Sequence, residues 1–284
     1  MRVSGDPHLG GLTVPAVSLM DDLTALVSEA AAAIQRIGPH AAARRTKADR
    51  TPVCDADEAA EVVLLDGLAR LMPEVPVVSE EACARGVRPR PGTRFFLVDP
   101  LDGTREFLAG LDEFTVNVAL VADGVPQLGI IAAPAQGRIW RGPAGRGGER
   151  LDLAPGAAPA AARNLTPLRP RRRPAAGLVA AVSRSHLDPR TAAFVATLPV
   201  VEQLQSGSSL KFCRLAEGVA DVYPRLAPTS EWDIAAGHAL LTASGGAISA
   251  PDGVPLAYGR ADQDFRVPGF VAWADPAAAA AVKL

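Results

Sequence analysis

The sequence of 284 residues has few cysteines and no close pair of them. Cys54, Cys83 and Cys213 are odd in number and far apart, which excludes a disulfide framework and the paired thiolates of a structural zinc site. Because unpaired cysteines are typical of a reducing compartment, we expect a cytoplasmic protein.

An excess of either charge is also missing. Lys and Arg number 29 against 31 Asp and Glu, for a formal net charge of −2. No global field therefore attracts nucleic acid or an acidic membrane. A small-molecule partner is expected instead, and if it is an anion a local site must hold it.

Long apolar runs are absent as well. The longest, residues 25–37 and 277–282, are rich in alanine and too short to span a bilayer. Residues 1–20 lack the charged and apolar regions of a secretory signal, and we expect them to form a loose N-terminal arm. We predict no transmembrane helix, and peripheral association with the cytoplasmic face of the inner membrane stays open.

Two segments near the start show helical periodicity. Apolar residues recur at helical spacing in residues 20–37 and 57–72, which stop before Gly38-Pro39 and Pro73. The period then changes to that of strands in residues 94–99, 114–121 and 125–133. Since Asp123-Gly124 is a dipeptide favoured in tight hairpins, we predict two helices followed by an antiparallel sheet.

The Gly, Pro, Ala and Arg content of residues 141–174 interrupts this periodicity. We place a connection at 146–175, between a first lobe (21–145) and a second lobe (176–284), and interpret the basic run 169–173 as a solvated loop. In the second lobe we predict strands at 178–182 and 220–223 and helices at 208–218 and 233–244.

The most informative segment carries two carboxylates at the end of a strand. In Asp99-Pro100-Leu101-Asp102-Gly103-Thr104 the proline fixes φ, so both carboxylates can turn toward one point. The backbone N–H groups of Gly103 and Thr104 could then cradle a phosphate. Mg²⁺ between carboxylates and phosphate would explain this combination, whereas an Asx turn with a helix cap is the alternative.

Two further acidic positions are ambiguous on their own. Glu80-Glu81 follows a short apolar strand at 77–79 and could be a solvated strand end. Asp233 stands at the start of an apolar helix, where it could act as an N-cap.

Several ordered motifs together resemble a known family. Glu80-Glu81, the D-P-L-D-G-T string from Asp99 and the W-D-I-A-A string from Trp232 are similar to the Mg²⁺-dependent, lithium-sensitive inositol monophosphatase superfamily. Further strings are similar to its bacterial 3′(2′),5′-bisphosphate nucleotidase branch: K-A-D at 47–49, E-F-T-V-N at 113–117, S-R-S-H at 183–186, G-S-S-L-K-F-C at 207–213 and Y-P-R at 223–225. The resemblance covers residues 23–270 and implies an α/β fold, a layered αβαβα sandwich of two lobes with the active site between them.

The resemblance also implies the roles of the acidic residues. Metal ligands fall on Glu80, Asp99, Asp102, Asp233 and the carbonyl of Leu101, for two or three Mg²⁺ ions. Catalysis would rest on Asp57 and Thr104, which orient and deprotonate water, with help from Glu80. For Asp57 the alternative is an ordinary cap of the second helix.

By the same resemblance, substrate contacts fall on Gly103, Thr104, His186, Ser208, Lys211, Arg225 and Asp233. Lys211 lies in an otherwise apolar helix, where a buried unpaired ammonium is costly, so a bound anion would explain it. The alternatives are a snorkelling Lys211 and a plain loop histidine at 186. We expect His238 to be a packed helix residue.

The leading hypothesis is therefore hydrolysis of 3′-phosphoadenosine 5′-phosphate to AMP and phosphate, linked to sulfate assimilation. An inositol monophosphatase or sugar bisphosphatase is the alternative, and a catalytically silent nucleotide-binding protein is a third hypothesis. Cys54 in place of the usual Thr, Arg105 in place of Lys and the Arg-rich loop depart from the family pattern, but none removes a metal ligand.

Overall fold

The computed structural model describes residues 16–47, 52–184 and 187–281. Within these ranges the helices are α1 (Ala16–Ala41), α2 (Asp55–Leu71), α3 (Glu80–Ala84), α4 (Thr104–Leu108), α5 (Pro189–Thr197), α6 (Leu210–Ala216), α7 (Glu231–Ser244) and α8 (Pro276–Ala281). Three short 3₁₀ turns lie at Pro134–Gln136, Pro159–Ala161 and Ala261–Gln263. In these ranges no helix combines the length and the apolar character needed to cross a membrane.

Seven strands form the sheet of the first lobe, in the spatial order β3-β4-β5-β6-β7-β8-β9. They are β3 (Val77–Ser79), β4 (Arg94–Asp102), β5 (Thr115–Ala122), β6 (Val125–Ala133), β7 (Arg138–Pro143), β8 (Glu149–Asp152) and β9 (Arg163–Pro167). The pair β3–β4 is parallel and the other neighbours are antiparallel. The predicted hairpin is confirmed, because Asp123 and Gly124 connect β5 to β6 with φ of 50° and 75°.

Five strands form the sheet of the second lobe, in the order β11-β10-β12-β16-β14. They are β10 (Leu178–Ser183), β11 (Val200–Ser206), β12 (Val222–Arg225), β14 (Ala247–Ser249) and β16 (Phe270–Trp273). Two small pairs complete the strands: β1 (Arg44–Thr46) with β2 (Pro52–Cys54), and β13 (Thr229–Ser230) with β15 (Arg266–Val267).

Alternating side chains of β4 divide the core into layers. Phe96 and Val98 pack against α1 and α2, whereas Phe95 and Leu97 face α6 and α7. The five-stranded sheet covers the other side of α6 and α7, and its outer face packs on α5 and α8. The αβαβα sandwich predicted by resemblance is therefore confirmed.

The segment 146–175 holds more regular structure than the sequence indicated. Strands β8 and β9 extend the first sheet into it, so this sheet continues past the predicted boundary at residue 145. Arg172 and Arg173 are exposed on a loop as expected. Arg171 differs, because it forms a bidentate ion pair with the buried carboxylate of Asp221. The division into lobes at this segment stays a prediction.

Candidate active site

The register of two parallel strands brings the first acidic residues together. In the β3–β4 pair Ser79 lies beside Val98, so the next residues along each strand, Glu80 and Asp99, leave the same edge of the sheet. Asp102 ends β4 after a bulge in its pairing with β5. This edge therefore presents three carboxylates, from Glu80 at the start of α3 and from Asp99 and Asp102 in β4.

The second lobe adds a fourth carboxylate. Asp233 occupies the first turn of α7, and carboxylate oxygens of Glu80, Asp99 and Asp233 all lie within 4.8 Å of one another. Asp102 lines the same cavity, of about 220 Å³, and accepts hydrogen bonds from Ser209 Oγ at 3.0 Å and Asn117 Nδ2 at 3.5 Å. The four predicted acidic ligands thus converge on one cavity.

Burial makes this convergence electrostatically unfavourable without a cation. It raises the pKa of Asp99 well above its usual range, and the neighbouring charges of Glu80, Asp102 and Asp233 add to the effect. The pKa of Glu80 rises to about 8, mainly through burial and against the opposing charge of Lys47. That of Asp102 rises to about 6, through burial and the charge of Asp233. Buried, hard oxygen ligands that repel one another are the donor set that a divalent cation such as Mg²⁺ fits.

Lys47 supplies one nearby positive charge. Its Nζ lies 2.5 Å from a Glu80 oxygen and 2.6 Å from a Glu81 oxygen, and its side chain is almost fully buried. Burial lowers its pKa, but the two carboxylates outweigh this effect and raise it overall. In the sequence Lys47 belongs to the K-A-D string, and no role was predicted for it.

Asp57 and Thr104 form the predicted pair beside the acidic cluster. Thr104 Oγ1 lies 2.9 Å from Asp57 Oδ1 and 3.2 Å from the carbonyl oxygen of Leu101, and can donate to either. Asp57 Oδ2 accepts the backbone N–H and the thiol of Cys54, both at 2.9 Å. Burial raises the pKa of Asp57, although these hydrogen bonds oppose the shift. Asp57 is buried behind Thr104, which lines the cavity.

Gly103 connects β4 to α4 within this wall of the cavity. Its φ of 92° is left-handed, a conformation that favours glycine. A Cβ there would lie 3.1 Å from the carbonyl oxygen of Glu113. Only a residue without a side chain fits this turn comfortably, which explains Gly103 in the D-P-L-D-G-T string.

Part of the cavity lining is cationic, and we call it the cationic wall. Lys211 and Arg225 line it together with Ser208 and Tyr223. Lys211 is 3% exposed, which contradicts a snorkelling side chain. Its Nζ donates to the carbonyl oxygens of Ser208 (2.6 Å) and Ser206 (3.2 Å).

No carboxylate of the described ranges lies within ion-pair distance of Lys211, and burial lowers its pKa to about 8. Ser208 Oγ is buried without a hydrogen-bond partner. A buried ammonium without an ion-pair carboxylate and a buried hydroxyl without a hydrogen-bond partner are suited to a polar or anionic ligand.

Of the histidines at 186 and 238, the structure describes only the second. His186 lies outside the described residues. His238 is buried, as expected for a packed helix residue, and its Nδ1 lies 2.9 Å from the hydroxyl of Tyr258. Burial lowers its pKa to about 4, so it stays neutral at physiological pH and is not part of the acidic cluster.

Two side chains of the site were not predicted from the sequence. Ser209 Oγ bridges the lobes, because it lies 3.0 Å from Asp102 Oδ2 and 2.9 Å from the carbonyl oxygen of Asp233. Asn117 donates to that same Ser209 oxygen at 3.0 Å. Their positions within the G-S-S-L-K and E-F-T-V-N strings were the available hint. A larger cavity of about 500 Å³, lined by Arg141, Leu168 and others, contains none of the acidic cluster.

Comparisons with known proteins find similarity to one family. The inositol monophosphatase family model matches residues 18–280. The 3′(2′),5′-bisphosphate nucleotidase CysQ of Shigella flexneri is 40% identical over 233 residues, which cover 79% of this chain and 86% of that protein. The protein of the same name from Aggregatibacter actinomycetemcomitans is 34% identical over 262 residues, with coverages of 89% and 91%. The crystal structure of CysQ from Bacteroides thetaiotaomicron superposes with a TM-score of 0.73 at 33% identity, covering 90% of this chain and 97% of that one.

Proposed function

Since the chain belongs to the inositol monophosphatase family, we propose that it is a 3′(2′),5′-bisphosphate nucleotidase that hydrolyses 3′-phosphoadenosine 5′-phosphate to AMP and phosphate. One observation carries this proposal beyond the family. One cavity is lined both by four acidic side chains suited to cations and by the buried ammonium of Lys211 and the guanidinium of Arg225. A substrate with two phosphates needs both sets of side chains, one for the cleaved group and one for the retained group.

Glu80, Asp99, Asp102 and Asp233, with the carbonyl of Leu101, are the residues that would hold Mg²⁺, at two or three ions per site. The raised pKa values of three of these carboxylates support the assignment. When bound, the ions supply a lowered pKa for the attacking water and neutralise charge on the phosphoryl group. A catalytically silent relative would be expected to lack one of these ligands.

Thr104 and Asp57 are positioned to move the proton of the attacking water. When Thr104 directs its proton to Asp57 Oδ1, 2.9 Å away, its lone pairs are left for a water in the cavity. As the water attacks phosphorus, its proton passes to the Thr104 oxygen and the Thr104 proton passes to Asp57. The raised pKa of Asp57 makes this carboxylate a better base. The ester P–O bond then breaks, the leaving ribose oxygen takes up a proton from solvent, and Asp57 returns its proton to solvent.

Retained parts of the substrate are assigned to the second lobe. Lys211 and Arg225 would bind the 5′-phosphate, and Ser208 and His186 would contact the nucleoside. Gly103 and Thr104 would contact the cleaved phosphate, and Asp233 would contact the ribose as well as the metal. The cytoplasmic location and a peripheral membrane association stay predictions of the sequence.

A substrate panel tests the proposal. Phosphate release from 3′-phosphoadenosine 5′-phosphate, inositol 1-phosphate and fructose 1,6-bisphosphate is measured with purified protein at equal concentration and with Mg²⁺. We expect the highest kcat/KM for the nucleotide and loss of all activity in EDTA. A higher kcat/KM for either of the other substrates would contradict the nucleotidase assignment while leaving the phosphatase chemistry intact.

A further inference from the structure

A bidentate ion pair joins the segment before β5 to the segment after β10. Arg184, directly after β10 in the second lobe, donates through Nε to Glu113 Oε2 at 2.8 Å and through Nη2 to Glu113 Oε1 at 3.1 Å. Glu113 belongs to the first lobe, between α4 and β5. Paired N–H···O bonds of this kind fix orientation as well as distance.

The same carboxylate also holds the chain that leads into the cationic wall. Glu113 Oε2 accepts the backbone N–H of Gly207 at 3.0 Å. A Cβ at position 207 would lie 2.6 Å from the carbonyl oxygen of Glu113, so the two backbones are in direct contact. Gly207 is followed by Ser208, and Lys211 is the second residue of α6.

Arg184 completes the connection from the other side. Its backbone N–H donates to the carbonyl oxygen of Ser206 and its Nη2 to that of Gln205, both at 3.4 Å. The Ser206 carbonyl oxygen also accepts from Lys211 Nζ. Hydrogen bonds therefore run without a gap from Glu113 to the buried ammonium of Lys211.

Glu113 and Arg184 are both outside the lining of the cavity, so they act through other residues. We propose that this pair, which we call the Glu113–Arg184 brace, positions Gly207, Ser208 and Lys211. By holding these residues, the brace sets the selectivity for nucleotide substrates over small phosphate monoesters. This inference rests on the proposed function. The acidic cluster has further supports in Ser209 and Asn117, so we expect chemistry at the cleaved phosphate to depend less on the brace.

The chain offers a matched control for a merely structural ion pair. Arg171 donates from Nε and Nη2 to Asp221 at 2.7 Å each, and Asp221 also accepts the backbone N–H of Val179. Asp221 thus accepts three hydrogen bonds of the same kinds as those that Glu113 accepts in the brace. This second pair lies away from the cavity, so its loss should lower stability without changing selectivity.

The test compares Glu113→Gln, Arg184→Met and Arg184→Lys with Arg171→Met. For each variant kcat and KM are measured with 3′-phosphoadenosine 5′-phosphate and with p-nitrophenyl phosphate, and the melting temperature is recorded. In Glu113→Gln and Arg184→Met we expect KM for the nucleotide to rise about tenfold, with kcat within about twofold. Constants for p-nitrophenyl phosphate should not change. Arg184→Lys, which keeps the charge and loses the fork, should give an intermediate KM.

Equal losses on both substrates, or the same change of selectivity in Arg171→Met, would overturn the brace. So would an unchanged KM for the nucleotide in Glu113→Gln and Arg184→Met. The wild-type protein separates the two proposals. If it hydrolyses the nucleotide while the variants keep its selectivity, the brace alone is wrong; if it does not, the proposed function fails and the brace with it.

Discussion

The first turns of α2 and α7 are built alike and serve the site differently. Each helix follows a short strand, with an extended N-cap residue, Cys54 or Ser230. The third helical residue is an aspartate in both, and its Oδ2 accepts the backbone N–H of the cap residue, at 2.9 Å for Asp57 and 3.0 Å for Asp233. In return, the side chain of the cap residue faces the backbone N–H of the aspartate. The two contacts form a capping box in which aspartate replaces the more usual glutamate.

What differs is the surroundings of the rest of the carboxylate. Asp57 is 1% exposed and meets the hydroxyl of Thr104, so its free oxygen is directed to a proton donor. Asp233 lines the cavity beside Glu80 and Asp99, so its charge is added to a cluster of like charges. A capping box therefore fixes where a carboxylate lies, and its neighbours give it a different environment, which is why we predict a base at Asp57 and a metal ligand at Asp233.

Asp233→Asn should have the largest effect of the changes that test this comparison. The amide keeps the shape of the cap but removes one charge from the cluster. We expect kcat to fall by more than about a thousandfold and Mg²⁺ to bind more weakly by about a hundredfold or more. Turnover is measured by phosphate release and Mg²⁺ affinity by calorimetry.

Unchanged Mg²⁺ affinity in Asp233→Asn would show that the two helix ends do not differ in the way proposed. Thr242→Ala on the same helix is the control, because its hydroxyl only donates to helix carbonyl oxygens. It should leave both measurements at the wild-type level.

Asp57→Asn should separate the base from the ligand. Because the proton acceptor for Thr104 is lost, we expect kcat to fall by about a hundredfold. Mg²⁺ affinity should stay within about threefold of wild type, since Asp57 is outside the acidic cluster. Calorimetry on the same preparation checks this, and a loss of Mg²⁺ affinity equal to that of Asp233→Asn would refute the distinction.

Parts of this comparison could be predicted from the sequence because they are local. Asp99 and Asp102 are close in sequence around Pro100, although β4 continues through Pro100 to Asp102 instead of ending before it. Asp233 was already ambiguous between cap and ligand. The structure confirms the cap, and the role as metal ligand stays a prediction. Contacts of Ser209 with Asp102 and of Arg184 with Glu113 join residues 107 and 71 positions apart, and no local pattern indicates them.

The errors in the fold also have physical causes. All five residues of β9 are exposed, so this edge strand has no alternation of apolar and polar residues that a pattern could detect. Helix α6 begins at Leu210 rather than at Ser208, because Ser208 has a φ of 42°, which a right-handed helix cannot accommodate. Propensity alone does not reveal such a backbone reversal.

Protonation gives a smaller effect, specific to the acidic cluster. The folded pKa values of Glu80 (about 8) and Asp102 (about 6) lie above their ordinary values of 4.5 and 3.8. Folding therefore favours their neutral forms, so this stability is present below about pH 4 and is lost as pH rises through 6 and 8. In EDTA we expect the melting temperature to fall by a few degrees over this range.

Mg²⁺ should reverse that trend, since it binds the ionised carboxylates and stabilises the fold more at high pH. Melting temperatures in EDTA and in Mg²⁺ are compared between pH 5 and 8 for wild type and for Asp233→Asn. A rise in melting temperature on adding Mg²⁺ that is the same at pH 5 and pH 8, or the same in Asp233→Asn as in wild type, would contradict the role of the cluster.

Substituting each cap residue should give the smallest effect and the most direct comparison of the two helix ends. Serine is a strong N-cap, so we expect Cys54→Ser to raise the free energy of unfolding by about 0.5 kcal/mol and Ser230→Ala to lower it by about 1 kcal/mol. Denaturant titration in Mg²⁺ measures both. Because each aspartate keeps its backbone hydrogen bond, kcat should stay within about threefold in both variants. A large loss of kcat in Cys54→Ser alone would mean that the thiol, which donates to Asp57, tunes the base as well as capping its helix.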